Sequence, residues 1–162
     1  LISRKITSSK HLWIQGGSNG GLLMGAAFTR NPDLYNAVVC QVPLLDMKRY
    51  NKLLAGASWM GEYGNPDVPE QWQYIKTFSP YHNLKADTAY PKVFFTTSTR
   101  DDRVHPGHAR KMVAKMEDMG IDVLYYENIE GGHAGAADNN QAAELSSMVY
   151  AYLMQQIGRA HV

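Results

Sequence analysis

The chain has 162 residues, which is enough for one domain with a hydrophobic core. Apolar residues make up 44% and charged residues 19%, and 16 basic against 15 acidic side chains leave a formal charge of +1. This balance gives no electrostatic basis for binding nucleic acid or an anionic membrane, and no apolar run approaches the roughly 20 residues of a membrane span.

The two ends of the chain differ from the rest. Residues 1–10, LISRKITSSK, lack the basic-then-apolar layout of a signal peptide and are interpreted as the end of an amphipathic helix. Residues 157–162, IGRAHV, break the pattern of the preceding helix and resemble the translation of a common sequencing adapter. We therefore expect residues 1–156 to be part of a longer gene product, followed by a non-native tail.

Between the ends, apolar runs alternate with helical patterns. The runs predict strands at residues 11–15, 37–42, 92–99 and 122–127, and helical spacing predicts helices at 22–30, 106–119 and 139–155. Residues 43–90 are aromatic-rich and irregular, and a short helix is expected at 69–76. This alternation predicts the α/β class, with a parallel sheet flanked by helices and further strands upstream. Cys40, the one cysteine, falls within a strand and is expected to be a buried apolar residue.

The motif Gly16-Gly17-Ser18-Asn19-Gly20 matches G-x-S-x-G, which places a serine on a strained turn between a strand and a helix. The predicted elements supply that context, so Ser18 is the candidate nucleophile of an α/β-hydrolase fold. The N–H of Asn19, the next residue, is a candidate donor to an oxyanion. A glycine-rich turn that binds phosphate, or binds nothing, is the alternative.

Serine becomes nucleophilic when a histidine accepts its proton and an acid orients that histidine. In this fold the acid and then the histidine follow the serine along the chain. Asp101 and Asp102 follow the third predicted strand, and His133 lies in a glycine-rich loop after the fourth. Spacing alone leaves both aspartates open. The remaining histidines that we considered are expected at the surface or at helix ends: His11, His82, His105 and His108.

Several motifs together resemble the prolyl oligopeptidases, which are serine peptidases of short peptides. They are GGSNGG around Ser18, NPDLY at 31–35, SWMGEYGNP at 58–66, FSPYHN at 78–83, RDDRV at 100–104 and GGH at 131–133. The resemblance covers nearly the whole chain to about residue 156. It implies an α/β-hydrolase catalytic domain with Ser18, Asp101 and His133 as the catalytic serine, aspartate and histidine, and thereby favours Asp101 over Asp102.

The resemblance also implies a specificity for proline. Trp59 matches a tryptophan that stacks on the substrate proline ring, Tyr63 a neighbouring aromatic residue and Leu44 an apolar wall of the pocket. Arg103 matches an arginine that hydrogen-bonds a substrate carbonyl. A flat indole suits a rigid pyrrolidine ring. The alternatives are a core role for Trp59 and a surface ion pair between Arg103 and Asp102.

The implied partners are short peptide substrates, together with parts of the same polypeptide that this chain lacks. These parts are an N-terminal β-propeller and the first hydrolase strands, with the tyrosine that helps to bind the oxyanion. His105 departs from the family by replacing an apolar residue. No metal or organic cofactor is implied.

Three alternatives to post-proline cleavage remain open. An esterase or aminopeptidase-like relative would keep the chemistry and change the substrate. A trypsin-like oligopeptidase would need an acidic pocket residue, for which Glu62 is a candidate. A non-catalytic binding domain on the same fold would typically have lost one of the three catalytic residues.

Overall fold

The computed structural model describes residues 1–158 of the chain. Within them the backbone forms a four-stranded sheet whose strands are β1 (Trp13–Gly17), β2 (Ala37–Gln41), β3 (Lys92–Ser98) and β4 (Val123–Asn128). The strands are parallel and lie side by side in chain order. A parallel sheet whose strands alternate with helices confirms the predicted α/β class.

The helices in the described residues are α1 (Asn19–Arg30), α2 (Met60–Tyr63), α3 (Pro69–Ile75), α4 (Pro80–Asn83), α5 (Gly107–Asp118) and α6 (Asn139–Ile157). Short 3₁₀ helices occupy Pro32–Leu34, Tyr50–Lys52, Leu54–Trp59 and Lys76–Phe78. The long segment between β2 and β3 is therefore a series of short helical turns, and the helix expected at 69–76 is confirmed as α3. Among the helices of residues 1–158, none has the length and apolar character of a membrane span.

The sheet carries helices on both faces, and each face has its own hydrophobic cluster. One cluster joins α1 and α5 to β2 and β3, and its largest buried members include Phe28, Phe95, Met112 and Met116. The other joins α6 to the same strands through Phe94, Val149, Tyr152 and Leu153. Because side chains alternate between the faces of a strand, consecutive residues of β2 and β3 contribute to both clusters. Cys40 is fully buried in the first cluster, as the sequence predicts.

The structure differs from the prediction at the start of the chain. Residues 1–12 form turns and bends, and the N–H groups of His11 and Leu12 both donate to the Ser8 carbonyl. The interpretation of this segment as the end of an amphipathic helix is therefore wrong. β1 runs two residues later than predicted at each end, because β2 supplies backbone partners for Gly16 and Gly17. At the other end α6 continues to Ile157, and residues 159–162 of the predicted tail lie outside the described residues.

A buried histidine joins α5 to the segment that follows β2. His108 is 1% exposed, and its Nδ1 accepts the backbone N–H groups of Leu45 at 3.3 Å and Asp46 at 3.1 Å. The expectation of a surface or capping residue at His108 is therefore wrong. Burial lowers the pKa of His108 from 6.5 to about 4, and a nitrogen that accepts two N–H groups cannot itself carry a proton.

Acidification is expected to destabilise the folded chain through His108. Between pH 6.5 and about pH 4 the unfolded chain binds a proton on this ring that the folded chain does not. The free energy of unfolding therefore falls as the pH falls, by about 3 kcal/mol in total. Urea unfolding at a series of pH values measures this effect. His108→Asn keeps an acceptor near Nδ1 without a titrating group and should show a flatter pH dependence; identical dependences in both proteins would contradict the assignment.

Candidate active site

Ser18 lies on a sharp turn between β1 and α1. Its backbone has φ 58° and ψ −117°, a conformation that a residue with a side chain adopts only under strain. The Ser18 N–H donates to the Gln41 carbonyl at 2.9 Å, and the Ser18 carbonyl accepts the N–H of Leu22 at 3.1 Å. Hydrogen bonds thus hold both the N–H and the carbonyl of Ser18. The turn has the strand–turn–helix form that exposes a nucleophile.

Two glycines of the motif permit close contact between backbone segments. A Cβ on Gly16 would lie 2.5 Å from the Gly20 carbonyl oxygen, and one on Gly21 would lie 2.6 Å from Cβ of Pro43. Gly20 has open space at the same position, so the packing there does not require glycine. The turn around Ser18 therefore requires glycine for backbone packing.

The structure brings Ser18, Asp101 and His133 together from the loops that follow β1, β3 and β4. His133 Nε2 lies 2.9 Å from Ser18 Oγ, and His133 Nδ1 lies 2.9 Å and 3.0 Å from the two carboxylate oxygens of Asp101. The carboxyl ends of parallel strands lie along one edge of the sheet, which is why residues distant in sequence meet here.

Asp101 is held in place by its own loop. The residue is 4% exposed, and its Oδ1 accepts the backbone N–H groups of Arg103 and Val104, each at 2.9 Å. Asp102 points to solvent as an exposed residue. The spacing of the sequence left both aspartates open, and the geometry selects Asp101 as the contact of His133.

Asn19, which the sequence predicts as a donor to an oxyanion, directly follows Ser18 in the chain. It is the first residue of α1, so no carbonyl within the helix can accept its backbone N–H. The helix dipole adds partial positive charge at this end. The side chain of Asn19 has a partner far away in sequence, because the Tyr63 hydroxyl donates to its Oδ1 at 2.5 Å. Sequence reasoning gave no signal for this contact.

The residues expected to form the proline pocket share one apolar cluster. Leu44 is 2% exposed within it, and half-buried Trp59 and Tyr63 pack against it. The ring of Tyr63 meets that of Tyr50 edge to face, with centroids 5.8 Å apart. Trp59 ends the 3₁₀ helix that directly precedes α2, and α2 ends at Tyr63, whose hydroxyl contacts Asn19.

Arg103 is exposed and lies beside this segment. Its carbonyl accepts the N–H of Ala55 at 3.3 Å, which links the turn of Asp101 to the 3₁₀ helix of Trp59. The alternative ion pair between Arg103 and Asp102 does not form within the described residues. Glu62 lines an open groove of about 420 Å³ along α1, together with Asn19 and Tyr63.

The other histidines have different environments from His133. His105 caps α5, since its Nδ1 accepts the N–H of Gly107 at 2.9 Å, as expected. His82 contacts Ser79 Oγ at 2.8 Å, and His11 contacts Ser8 Oγ at 3.0 Å. In the part of the chain that the structure describes, no group of three or more His, Cys, Asp or Glu side chains is arranged to hold a metal ion.

Two polar residues that sequence reasoning missed flank the loop of His133. Asn128 at the end of β4 and Gln141 in the first turn of α6 hydrogen-bond each other at 2.8 Å and also bond the loop backbone. Neither residue belongs to a motif of titratable or nucleophilic side chains. Their importance is visible only once the ends of the loop are placed in space.

Comparison with known proteins finds relatives that match nearly the whole chain. The family model described as the prolyl oligopeptidase family matches residues 1–160. An uncharacterized peptidase, y4nA, of Sinorhizobium fredii is 57% identical over 97% of this chain, and a prolyl endopeptidase of Elizabethkingia miricola is 37% identical over 94%. The chain spans 22% of the length of each of these two relatives.

Solved structures give the same result for the fold. A post-proline cleaving enzyme from Rickettsia typhi superimposes with a TM-score of 0.92 at 37% identity. The superposition covers 96% of this chain and 23% of that enzyme. The expected family and the expected hydrolase fold are both confirmed. The chain belongs to the prolyl oligopeptidase family.

Proposed function

We propose that the chain is part of the catalytic domain of a serine peptidase that hydrolyses short peptides on the C-terminal side of proline. The observation that carries this proposal is the hydrogen-bonded series from Ser18 through His133 to Asp101, with 2.9 Å at each step. A serine hydroxyl needs a base to accept its proton and an acid to orient that base, and this series supplies both.

In the proposed reaction Ser18 Oγ attacks the carbonyl carbon of the scissile bond while His133 Nε2 takes the hydroxyl proton. Asp101 accepts a hydrogen bond from the Nδ1–H of His133, which leaves Nε2 free to act as the base. The Asn19 N–H would donate to the tetrahedral oxyanion. His133 then gives its proton to the leaving amine, and the resulting acyl-enzyme is hydrolysed by water that the same histidine activates.

Proline specificity rests on the Trp59 segment. The 3₁₀ helix that ends at Trp59 is linked to the Arg103 turn, and Tyr63 of the same segment hydrogen-bonds Asn19 next to the nucleophile. In the proposal the Trp59 indole stacks on the pyrrolidine ring, and the exposed Arg103 guanidinium binds a substrate carbonyl. The names of the relatives, prolyl endopeptidase and post-proline cleaving enzyme, agree with this substrate class.

We also propose that residues 1–156 are one portion of a longer polypeptide, with residues 157–162 as a non-native tail. The chain spans about a fifth of the length of its curated relatives. In addition, β1 is an outer strand whose residues are exposed or half-buried, unlike those of the buried β2 and β3. An upstream strand pairing with β1 would cover this edge. The remainder would supply the propeller and the second oxyanion donor.

A comparison of substrates tests the proposed function in the full-length peptidase. The peptidase should cleave a blocked peptide amide ending in proline much faster than the same peptide ending in arginine. Trp59→Ala should lower kcat/KM for the proline peptide roughly 10- to 100-fold, since the apolar contact with the ring is lost. Hydrolysis of a small aryl ester should change little, because the nucleophile is intact.

Trp72→Ala is the matched control for lost packing. Trp72 is another half-buried tryptophan on the same apolar cluster, and its ring meets that of His82 edge to face, with centroids 5.0 Å apart. We expect it to lower the thermal midpoint without a selective loss of proline cleavage. Faster cleavage after arginine would favour the trypsin-like alternative, and turnover of the ester alone would leave a serine esterase.

A further inference from the structure

The loop that carries His133 spans residues 129–138, and a side chain at its start holds its backbone. Asn128, the last residue of β4, is 5% exposed. Its Oδ1 accepts the N–H groups of Glu130 at 2.9 Å and Gly131 at 3.0 Å. Its own carbonyl accepts the N–H of Thr99 at 2.8 Å, two residues before Asp101. Asn128 therefore contacts both the His133 loop and the Asp101 turn.

A second side chain joins the two ends of this loop. Gln141 in α6 accepts the N–H of Ala137 at 2.8 Å and the Asn128 side-chain amide at 2.8 Å, both through Oε1. Its Nε2 donates to the Glu130 carboxylate at 2.7 Å. The Asn128–Gln141 pair thus fixes the first residues of the loop and the last ones to each other and to α6.

The loop itself offers little internal support. It contains three glycines, Gly131, Gly132 and Gly135, and glycine loses more conformational freedom on ordering than any other residue. Gly135 has φ +85°, and its N–H donates to the Gly132 carbonyl at 3.0 Å. A chain segment of this kind depends on contacts from outside to hold one conformation.

We propose that Asn128 is a positioning residue, which together with Gln141 holds the His133 imidazole between Ser18 and Asp101. This inference rests on the proposed serine hydrolase chemistry and concerns the loop, independently of the substrate side chain. Both ring nitrogens must stay within hydrogen-bond distance at once, and a displacement of about 1 Å costs on the order of 100-fold in rate. The proposed substrate contacts, Trp59, Tyr63 and Arg103, lie on other segments, so the loss should fall on kcat.

The test compares Asn128→Ala and Gln141→Ala in the full-length peptidase. Each variant should lower kcat roughly 10- to 100-fold with KM within about 2-fold of the wild type. The double variant should lose less than the product of the two single losses, because both changes break the shared Asn128–Gln141 hydrogen bond. Gln141 is half-buried in the first turn of α6, whereas Asn128 is buried, so Gln141→Ala keeps the test available if Asn128→Ala does not fold.

Asn36→Ala is the matched control, because Asn36 donates to the Gln156 carbonyl at 2.6 Å and so holds the opposite end of α6. It should leave kcat unchanged. Hydrogen exchange of residues 129–138 should accelerate in the Asn128 and Gln141 variants alone. The inference is overturned if the loop loosens while kcat stays at the wild-type value, or if Asn36→Ala lowers kcat equally.

The rate at which a small fluorophosphonate labels Ser18 separates this inference from the proposed specificity. Labelling needs the Ser18–His133 pair but no proline pocket. It should slow in the Asn128 and Gln141 variants to the same degree as kcat. If the wild-type peptidase labels rapidly but does not cleave after proline, the proposed specificity fails and the positioning role is still tested.

Discussion

Replacing Ser18 by alanine is expected to lower kcat of the full-length peptidase by on the order of 10⁵-fold. The change removes the atom that would form the acyl-enzyme, and no other hydroxyl is described within hydrogen-bond distance of His133 Nε2 among residues 1–158. Substrate binding should persist, because the Trp59 segment and the Asn19 N–H are unaffected. Steady-state hydrolysis of a blocked proline amide, with KM determined separately, measures both effects.

Ser98→Ala is the matched control for the loss of a serine hydroxyl near the site. Ser98 ends β3, is fully buried, and within the described residues its Oγ has no hydrogen-bond partner. Its carbonyl, which accepts the Asp101 N–H at 3.2 Å, remains in the variant. We expect unchanged kcat and a slightly higher free energy of unfolding, since a buried unpaired hydroxyl is removed. Wild-type activity in Ser18→Ala would show that Ser18 is not the nucleophile.

Asp101→Asn is expected to lower kcat by on the order of 10⁴-fold with the fold intact. The amide oxygen can still accept the Arg103 and Val104 N–H groups, so the turn is retained. The amide nitrogen then faces His133 Nδ1 as a donor. Nδ1 must become the acceptor, the proton moves to Nε2, and the ring can no longer take the proton of Ser18.

The exposed neighbour supplies the control for this charge change. Asp102→Asn removes the same charge one residue later without a contact to His133, and kcat should stay within about 2-fold of the wild type. Pre-steady-state measurements of acylation should show the loss in the chemical step of Asp101→Asn alone. Equal losses in both variants would mean that net charge, and not the orientation of His133, determines the rate.

The sheet could be predicted from the sequence because its central strands, β2 and β3, are buried on both faces. β2 and β3 lie within one residue of the predicted limits, since continuous apolar runs mark strands of this kind. The limits of the outer strand β4 also differ from the prediction by one residue. The predicted β1 begins and ends two residues too early, because the sequence pattern indicates a turn at Gly16 and Gly17, although β2 pairs with both. Pairing between strands can override the local preference of glycine, which a single segment does not reveal.

The proximity of Ser18, Asp101 and His133 could also be predicted from the sequence. Each residue follows a predicted strand, and the ends of those strands lie along one edge of the sheet. The Tyr63–Asn19 bond and the Asn128–Gln141 pair could not be predicted. They join side chains whose partners are set by how loops meet in space, and neither has a periodic pattern or a motif. His108 was misassigned for the same reason, since its two N–H donors come from a segment more than 60 residues away.

The most direct test of the central claim is to trap the acyl-enzyme of the full-length peptidase. A blocked proline aryl ester mixed rapidly with enzyme and quenched in acid should leave the acyl group on the peptide that contains Ser18, as seen by mass spectrometry. The account predicts a burst of one equivalent of aryl alcohol and this single modified peptide, both absent from Ser18→Ala. Turnover of the ester without a burst, or an acyl group on any other residue, would contradict it.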